Sequence, residues 1–148
     1  MTLEQKLLPD LKAAMKAKDQ GMLRGLRAIK AAILLAKTDG SGKELDEAGE
    51  VALLQKLIKQ RKDSLSIYEE QGREDLAVKE REEIETIKNY LPAQLSEDEL
   101  KSRIQAIIDR VGAEGMKDMG KVIGAARAEL GGSADGKSIA AVTKSLLA

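Results

Sequence analysis

Pro92-Ala93-Gln94-Leu95-Ser96-Glu97-Asp98-Glu99-Leu100 is the stretch on which the reading of this chain turns. Pro92 ends any helix that reaches it, because proline lacks the N–H and its ring crowds the preceding turn. Directly beyond, Ser96 stands as an N-cap, Glu99 closes a capping box, and Leu95 and Leu100 flank the pair as a hydrophobic staple. One helix stops and another starts within nine residues. The chain is therefore expected to divide here, into an N-terminal helical domain over 1–92 and a C-terminal bundle over 93–148.

Downstream of the cap, Leu100, Ile104, Ile107, Ile108 and Val111 recur at three-four spacing and predict a fifth helix ending at Gly112. Asp118 is placed to cap a sixth, which buries Met119, Val122, Ile123, Ala126 and Leu130 and ends at Gly131-Gly132. Asp135 is placed to cap a seventh, with Ile139, Val142, Thr143 and Leu146 inward. Three short amphipathic helices joined by turns predict a three-helix bundle.

Upstream, four more helices are expected. The first covers about Leu3 to Ala17, with Thr2 and Gln5 spaced as a capping box and Pro9 as an interruption. The second covers Met22 to Thr38 and fails in the turn-forming Asp39-Gly40-Ser41-Gly42. A third runs from near Asp46 to Gln71, with Gly72 as its C′ residue. The fourth opens at Arg73-Glu74-Asp75, carries Ala77, Glu80, Ile84, Ile87 and Leu91 on one stripe, and is stopped by Pro92. Sparse β-branched and aromatic residues agree with an all-α fold.

Composition narrows the chemistry. The 148 residues include no cysteine and no histidine. Disulfides, thiolate nucleophiles, Ser-His dyads and the commonest transition-metal ligands are thereby closed, and neither a cofactor nor an autonomous catalytic centre is expected. The 25 basic and 25 acidic residues cancel. They are unevenly spread: residues 1–38 hold eight Lys/Arg against three Asp/Glu, residues 39–50 one against five, and residues 95–148 eight of each. The longest apolar run, Ala31 to Ala36, is far short of the ~18 residues of a membrane span, and the N-terminus has no continuous apolar stretch of the secretory kind. These features predict a soluble, cytoplasmic protein with no membrane partner.

Met116-Lys117-Asp118-Met119-Gly120-Lys121-Val122-Ile123-Gly124 and Ala134-Asp135-Gly136-Lys137 resemble the signature of the GatB/YqeY tail domain. Lys59-Gln60-Arg61-Lys62-Asp63-Ser64, Ile67-Tyr68-Glu69 and Gly72-Arg73-Glu74-Asp75-Leu76-Ala77 are similar to the N-terminal half of the stand-alone YqeY-like proteins. Tyr90 to Ser96 is similar to their linker. The resemblance implies an all-α protein with an N-terminal helical domain and a C-terminal three-helix bundle. It also implies a link to tRNA, since the same tail ends the B subunit of the tRNA-dependent amidotransferase and is appended to some glutaminyl-tRNA synthetases. Partners implied in this way are tRNA, a tRNA-charging enzyme or amidotransferase subunits. At one point the chain departs from the pattern: Gly131 and Ser133 stand where basic residues are expected.

Lys117, Lys121, Arg127, Lys137 and Lys144 are the candidate nucleic-acid-binding residues, a basic surface for a sugar-phosphate backbone. Glu114, Asp118, Glu129 and Asp135 are interleaved with them, so an ordinary solvated face is the competing explanation. Lys12, Lys16, Lys18, Arg24, Arg27 and Lys30 form a second basic cluster, also explicable as solubilising charge. Gly131, four residues, then Gly136-Lys137-Ser138 has the spacing of a phosphate-binding P-loop, but that motif follows a buried strand and here an amphipathic helix precedes it. Arg61 falls on the apolar stripe of the third helix and calls for a carboxylate, Glu80 or Glu83, from the fourth. Two further functions stay open: an accessory role in glutamine-dependent amide transfer, and a protein-interaction scaffold without RNA.

Overall fold

The computed structural model describes residues 1–40 and 44–148. Among them are seven α-helices: α1 Leu3–Ala17, α2 Gln20–Lys37, α3 Glu47–Glu70, α4 Glu74–Lys88, α5 Glu97–Val111, α6 Met119–Leu130 and α7 Gly136–Leu147, with a 3-10 turn at Met116–Asp118. The fold is all-α. Ser41 and Gly42, part of the turn expected after α2, lie outside the described residues. The helices pack as two compact units, Met1–Leu91 and Pro92–Ala148.

In the first unit, α1 and α2 form an antiparallel hairpin. Asp19 caps α2 by accepting from the Met22 N–H at 3.1 Å, so the helix begins two residues before the expected Met22. Pro9 does not interrupt α1. Leu3, Leu7, Leu11 and Ala14 straddle it on one buried stripe, and their burial outweighs the hydrogen bond that Pro9 forgoes. The Thr2–Gln5 capping box is formed, and Glu50 of α3 takes a further orphan donor, accepting from the Leu3 N–H at 2.6 Å.

The core of this unit joins that stripe to Leu23, Leu26, Ile29 and Ile33 of α2, Leu54 and Ile58 of α3, and Ile84 and Ile87 of α4. Arg61 finds the acidic partner expected of it, Glu83, at 3.7 Å, and also donates to the Leu57 carbonyl at 3.1 Å. Glu80 is held above the usual carboxylate range, mainly by burial and then by the Glu83 charge, with Arg61 opposing. α4 stops at Lys88, short of Pro92. The N–H groups of Asn89, Tyr90 and Leu91 turn to carbonyls three residues back, tightening the chain before the proline. Tyr90 then donates its hydroxyl to Asp10 of α1.

In the second unit, the Ser96–Glu99 capping box opens α5, and Gly112, at φ +69°, closes it in the left-handed conformation that glycine adopts freely. Leu100, Ile104, Ile107 and Ile108 pack with Val122, Ala126, Leu130 and Ile139 of α6 and α7. Asp118 does not cap α6 as expected. Its carboxylate accepts from the Glu114 N–H at 3.0 Å instead, which folds the α5–α6 connection into the 3-10 turn. Asp135 does cap α7, accepting from the Ser138 N–H at 2.7 Å.

Candidate nucleic-acid interface

The α6–α7 turn is the most constrained connection of the second unit. Gly132 is buried at φ +92°, and the Ser133 N–H returns to the Leu130 carbonyl at 2.8 Å. The segment before α5 is stitched onto this turn: the Leu95 N–H donates to the Ser133 carbonyl at 2.8 Å, and the Gln94 amide donates to the carbonyls of Gly132 at 2.6 Å and Pro92 at 2.8 Å. These bonds fix how α6 delivers its last turn to the start of α7. Gln94 carries no chemistry that would have marked it in the sequence, and its partner lies 38 residues away.

The five candidate cations fall into two sets. Lys117 pairs with Glu114 at 3.7 Å, and Lys121 donates to the Val111 carbonyl at 3.3 Å, so both serve the α5–α6 connection. Arg127, Lys137 and Lys144 are exposed and make no ion pair or hydrogen bond among the described residues. The structure brings Arg127 to the start of α7. Its guanidinium lies so close to Gly136 that a Cβ there would sit 3.1 Å from Nη2, and Lys137 is the next residue. Lys144 follows Lys137 by seven residues, two helical turns, and so shares its face, about 10 Å away along the axis.

The interleaved carboxylates are occupied. Glu129 is held by Arg110, Glu114 by Lys117, and Asp118 and Asp135 accept backbone N–H groups. The Gly131–Ser138 spacing does not build a P-loop, since the helix α6 precedes it where a strand is required. In the other basic cluster, Arg24 is withdrawn by Glu82 at 2.6 Å. Lys12, Lys16, Arg27 and Lys30 remain exposed.

The family model described as "Yqey-like protein" matches residues 4–147. Among curated proteins, the chain is similar to "Altered inheritance of mitochondria protein 41, mitochondrial" of several yeasts. It is 45% identical to that of Lachancea thermotolerans over 57% of this chain and 46% of the relative. It is 34% identical to that of Vanderwaltozyma polyspora over 76% and 64%, and 38% identical to that of Kluyveromyces lactis over 69% and 56%. The chain thus spans between 46% and 64% of the length of these relatives.

The mitochondrial names overturn the cytoplasmic placement expected from composition. That expectation rested on a missing apolar stretch, which bears on the secretory route alone. Mitochondrial targeting segments are amphipathic and basic and show no such stretch. Among the described residues no helix is long and apolar enough to cross a membrane, which says nothing about organelle. With two helical units in place and a family model matched from residue 4 to residue 147, the chain belongs to the Yqey-like protein family.

Proposed function

We propose that this protein is a non-catalytic, tRNA-associated binding module that meets RNA through its C-terminal unit. The observation carrying the proposal is that Arg127, Lys137 and Lys144 stay exposed and unpaired among the described residues while the carboxylates around them are engaged. In a unit that balances eight against eight, these three cations are the local positive face on which the proposal rests. Such a face reads backbone phosphate and helix shape rather than base sequence. The two tyrosines of the chain, Tyr68 and Tyr90, are both half-buried in the first unit, so this face has no aromatic platform for stacking bases. The biological setting we propose is assistance to a tRNA-charging or amidotransferase enzyme, and the names of the relatives add mitochondria to that setting. We assign any amide transfer to the partner, because the cysteine- and histidine-based nucleophiles are absent from this chain and no serine or threonine hydroxyl is hydrogen-bonded to a lysine among the described residues.

Titration of the intact protein with total tRNA tests the reading. Binding is expected at low salt and should weaken as salt rises, with each phosphate contact contributing about 0.7–0.9 to the slope of log K against log salt. Lys137→Glu/Lys144→Glu should weaken binding and flatten that slope by about 1–2, without loss of helicity. Absence of binding at about 50 mM salt, the low end of the range over which such contacts are measured, rejects the proposal.

A further inference from the structure

The outer side of the α1–α2 hairpin carries a second surface with a different composition. An ion pair joins Glu4 at the start of α1 to Lys37 at the end of α2. Leu8 follows Glu4 by four residues and Leu34 precedes Lys37 by three, so both leucines stand beside that ion pair, one turn further along. They are 50% and 63% exposed. One turn beyond come Lys12 and Lys30, and then Met15, which is 53% exposed, with Arg27 opposite. Lys12, Lys30 and Arg27 make no ion pair among the described residues, and Glu4, at the head of the strip, is paired with Lys37.

We propose that this strip rests on an anionic lipid bilayer, the leucines and Met15 entering the interface and the three cations meeting headgroups. Two features select a bilayer over other partners. An RNA backbone offers nothing to half-exposed leucines. A partner helix needs a continuous apolar seam, which Lys12 and Lys30 break, whereas at a bilayer their long stems lie along the apolar layer and lift the ammonium to the headgroups. Apolar insertion combined with cation attraction is how helices lie on membranes without crossing them. The surface departs from the expectation of no membrane partner, which rested on the lack of a spanning segment. It is also independent of the α7 face.

The test is sedimentation of the intact protein with vesicles of phosphatidylcholine alone and of phosphatidylcholine mixed with phosphatidylglycerol. Binding is expected to the mixed vesicles only, and to fall with added salt. Lys12→Gln/Lys30→Gln should weaken it about fivefold per cation removed. Leu8→Gln/Leu34→Gln should abolish it, and Lys137→Glu/Lys144→Glu should leave it unchanged. All four strip positions are exposed, so circular dichroism and Tm should match the parent protein for each pair. No sedimentation with the mixed vesicles at low salt overturns the proposal. So does binding that survives loss of the leucines, and so does a Lys12/Lys30 variant that loses tRNA while the parent ignores vesicles, which would assign the strip to RNA.

Discussion

Replacing Gly25 by alanine asks whether α2 and α4 approach as closely as the structure states. Gly25 is buried in α2, and a Cβ added there would stand 2.7 Å from the Thr86 Cβ, 2.9 Å from its Cγ2 and 3.3 Å from its Oγ1. Carbon atoms pack at about 3.5–4.0 Å, so the contact is nearly 1 Å too short. Rotating Thr86 gives no relief, because its Cβ moves only with the α4 backbone. The Thr86 hydroxyl is also engaged, donating to the Glu82 carbonyl at 3.1 Å. The two helices must therefore part, against a core that includes Ile29 and Ile87. Forcing a methyl into a packed core costs typically 1–3 kcal/mol, and alanine returns about 1 kcal/mol through its better helix propensity. Because the clash falls on a Cβ that cannot rotate away, the cost lies in the upper part of that range, about 2–3 kcal/mol, and the balance is a loss of about 1–2 kcal/mol, or a fall in Tm of roughly 5–15 °C for a unit of this size.

Gly124 on α6 supplies the internal control, since a Cβ there meets nothing within 4 Å. The same Gly→Ala change should stabilise the second unit by about 0.5–1 kcal/mol. Urea denaturation followed by circular dichroism reads both. Opposite signs for the two variants support the close approach. A Gly25→Ala protein as stable as its parent, or more so, would mean that α2 and α4 have space between them, and the packing argument fails. A cycle with Thr86→Gly sharpens the test: the two changes should couple favourably, by about 1 kcal/mol or more, because the second removes the atom that the first strikes.

Tyr90→Phe should destabilise the first unit by about 1–2 kcal/mol, since it deletes a half-buried hydroxyl bonded to a carboxylate. Burial first, then the bond to Asp10, raises the Tyr90 hydroxyl well above its ordinary value near 10. The protonated form is thus favoured on folding, its contribution is complete below about pH 10, and it is lost as pH rises toward the folded value. The stability gap between parent and Tyr90→Phe, measured across alkaline pH, should therefore narrow; a gap that widens above pH 10 refutes the assignment. Ser96→Ala should cost the second unit about 1 kcal/mol by removing an N-cap, as read by urea titration. Hydrogen bonding to Ser96, whose N–H donates to Glu99 Oε1, holds the Glu99 carboxyl below the usual range, so the capping box contributes above the ordinary glutamate pKa and fades as pH falls through the lowered one. A parent-to-variant gap that grows on acidification contradicts it.

How far the sequence could be read follows from the range of each interaction. The Ser96–Glu99 box, the Asp135 cap and the Gly72 and Gly112 terminators involve neighbours within a turn, and each is recognisable from spacing alone. Arg61 was legible at longer range because a cation on an apolar stripe demands a carboxylate, and the carboxylate-rich adjacent helix offers Glu80 and Glu83 near its own apolar stripe. Pro9 misled, since local geometry argues for a break and the burial of Leu7 and Leu11 decides otherwise. Asp118 misled in the opposite way: the right residue stood at the right place, but the Glu114 N–H claimed its carboxylate. Gly25 against Thr86, Gln94 against Gly132 and Arg127 against Gly136 have no local signature, because each depends on which helix faces which. The candidate cations could be named but not sorted, as sorting them required knowing which carboxylates were already taken.

That sorting explains how a chain of zero net charge presents positive faces. A carboxylate that accepts a backbone N–H at a helix start compensates the helix dipole and serves a cation on another face poorly. On the α1–α2 hairpin, Asp19 caps α2, Asp10 holds the Tyr90 hydroxyl and Glu4 is paired with Lys37, while Lys12, Arg27 and Lys30, like Lys6, Lys16 and Lys18, make no ion pair among the described residues. In the second unit, Asp118 and Asp135 serve backbone donors, Glu99 completes a capping box and Glu129 holds Arg110, while Arg127, Lys137 and Lys144, like Lys101 and Arg103 on α5, make no ion pair among the described residues. The acids named here serve the fold, while others such as Glu97 and Asp98 stay exposed beside the unmatched cations. If the proposed polyanion binding holds, charge counts along the sequence understate it, and salt-dependent binding is the property in which the difference would appear.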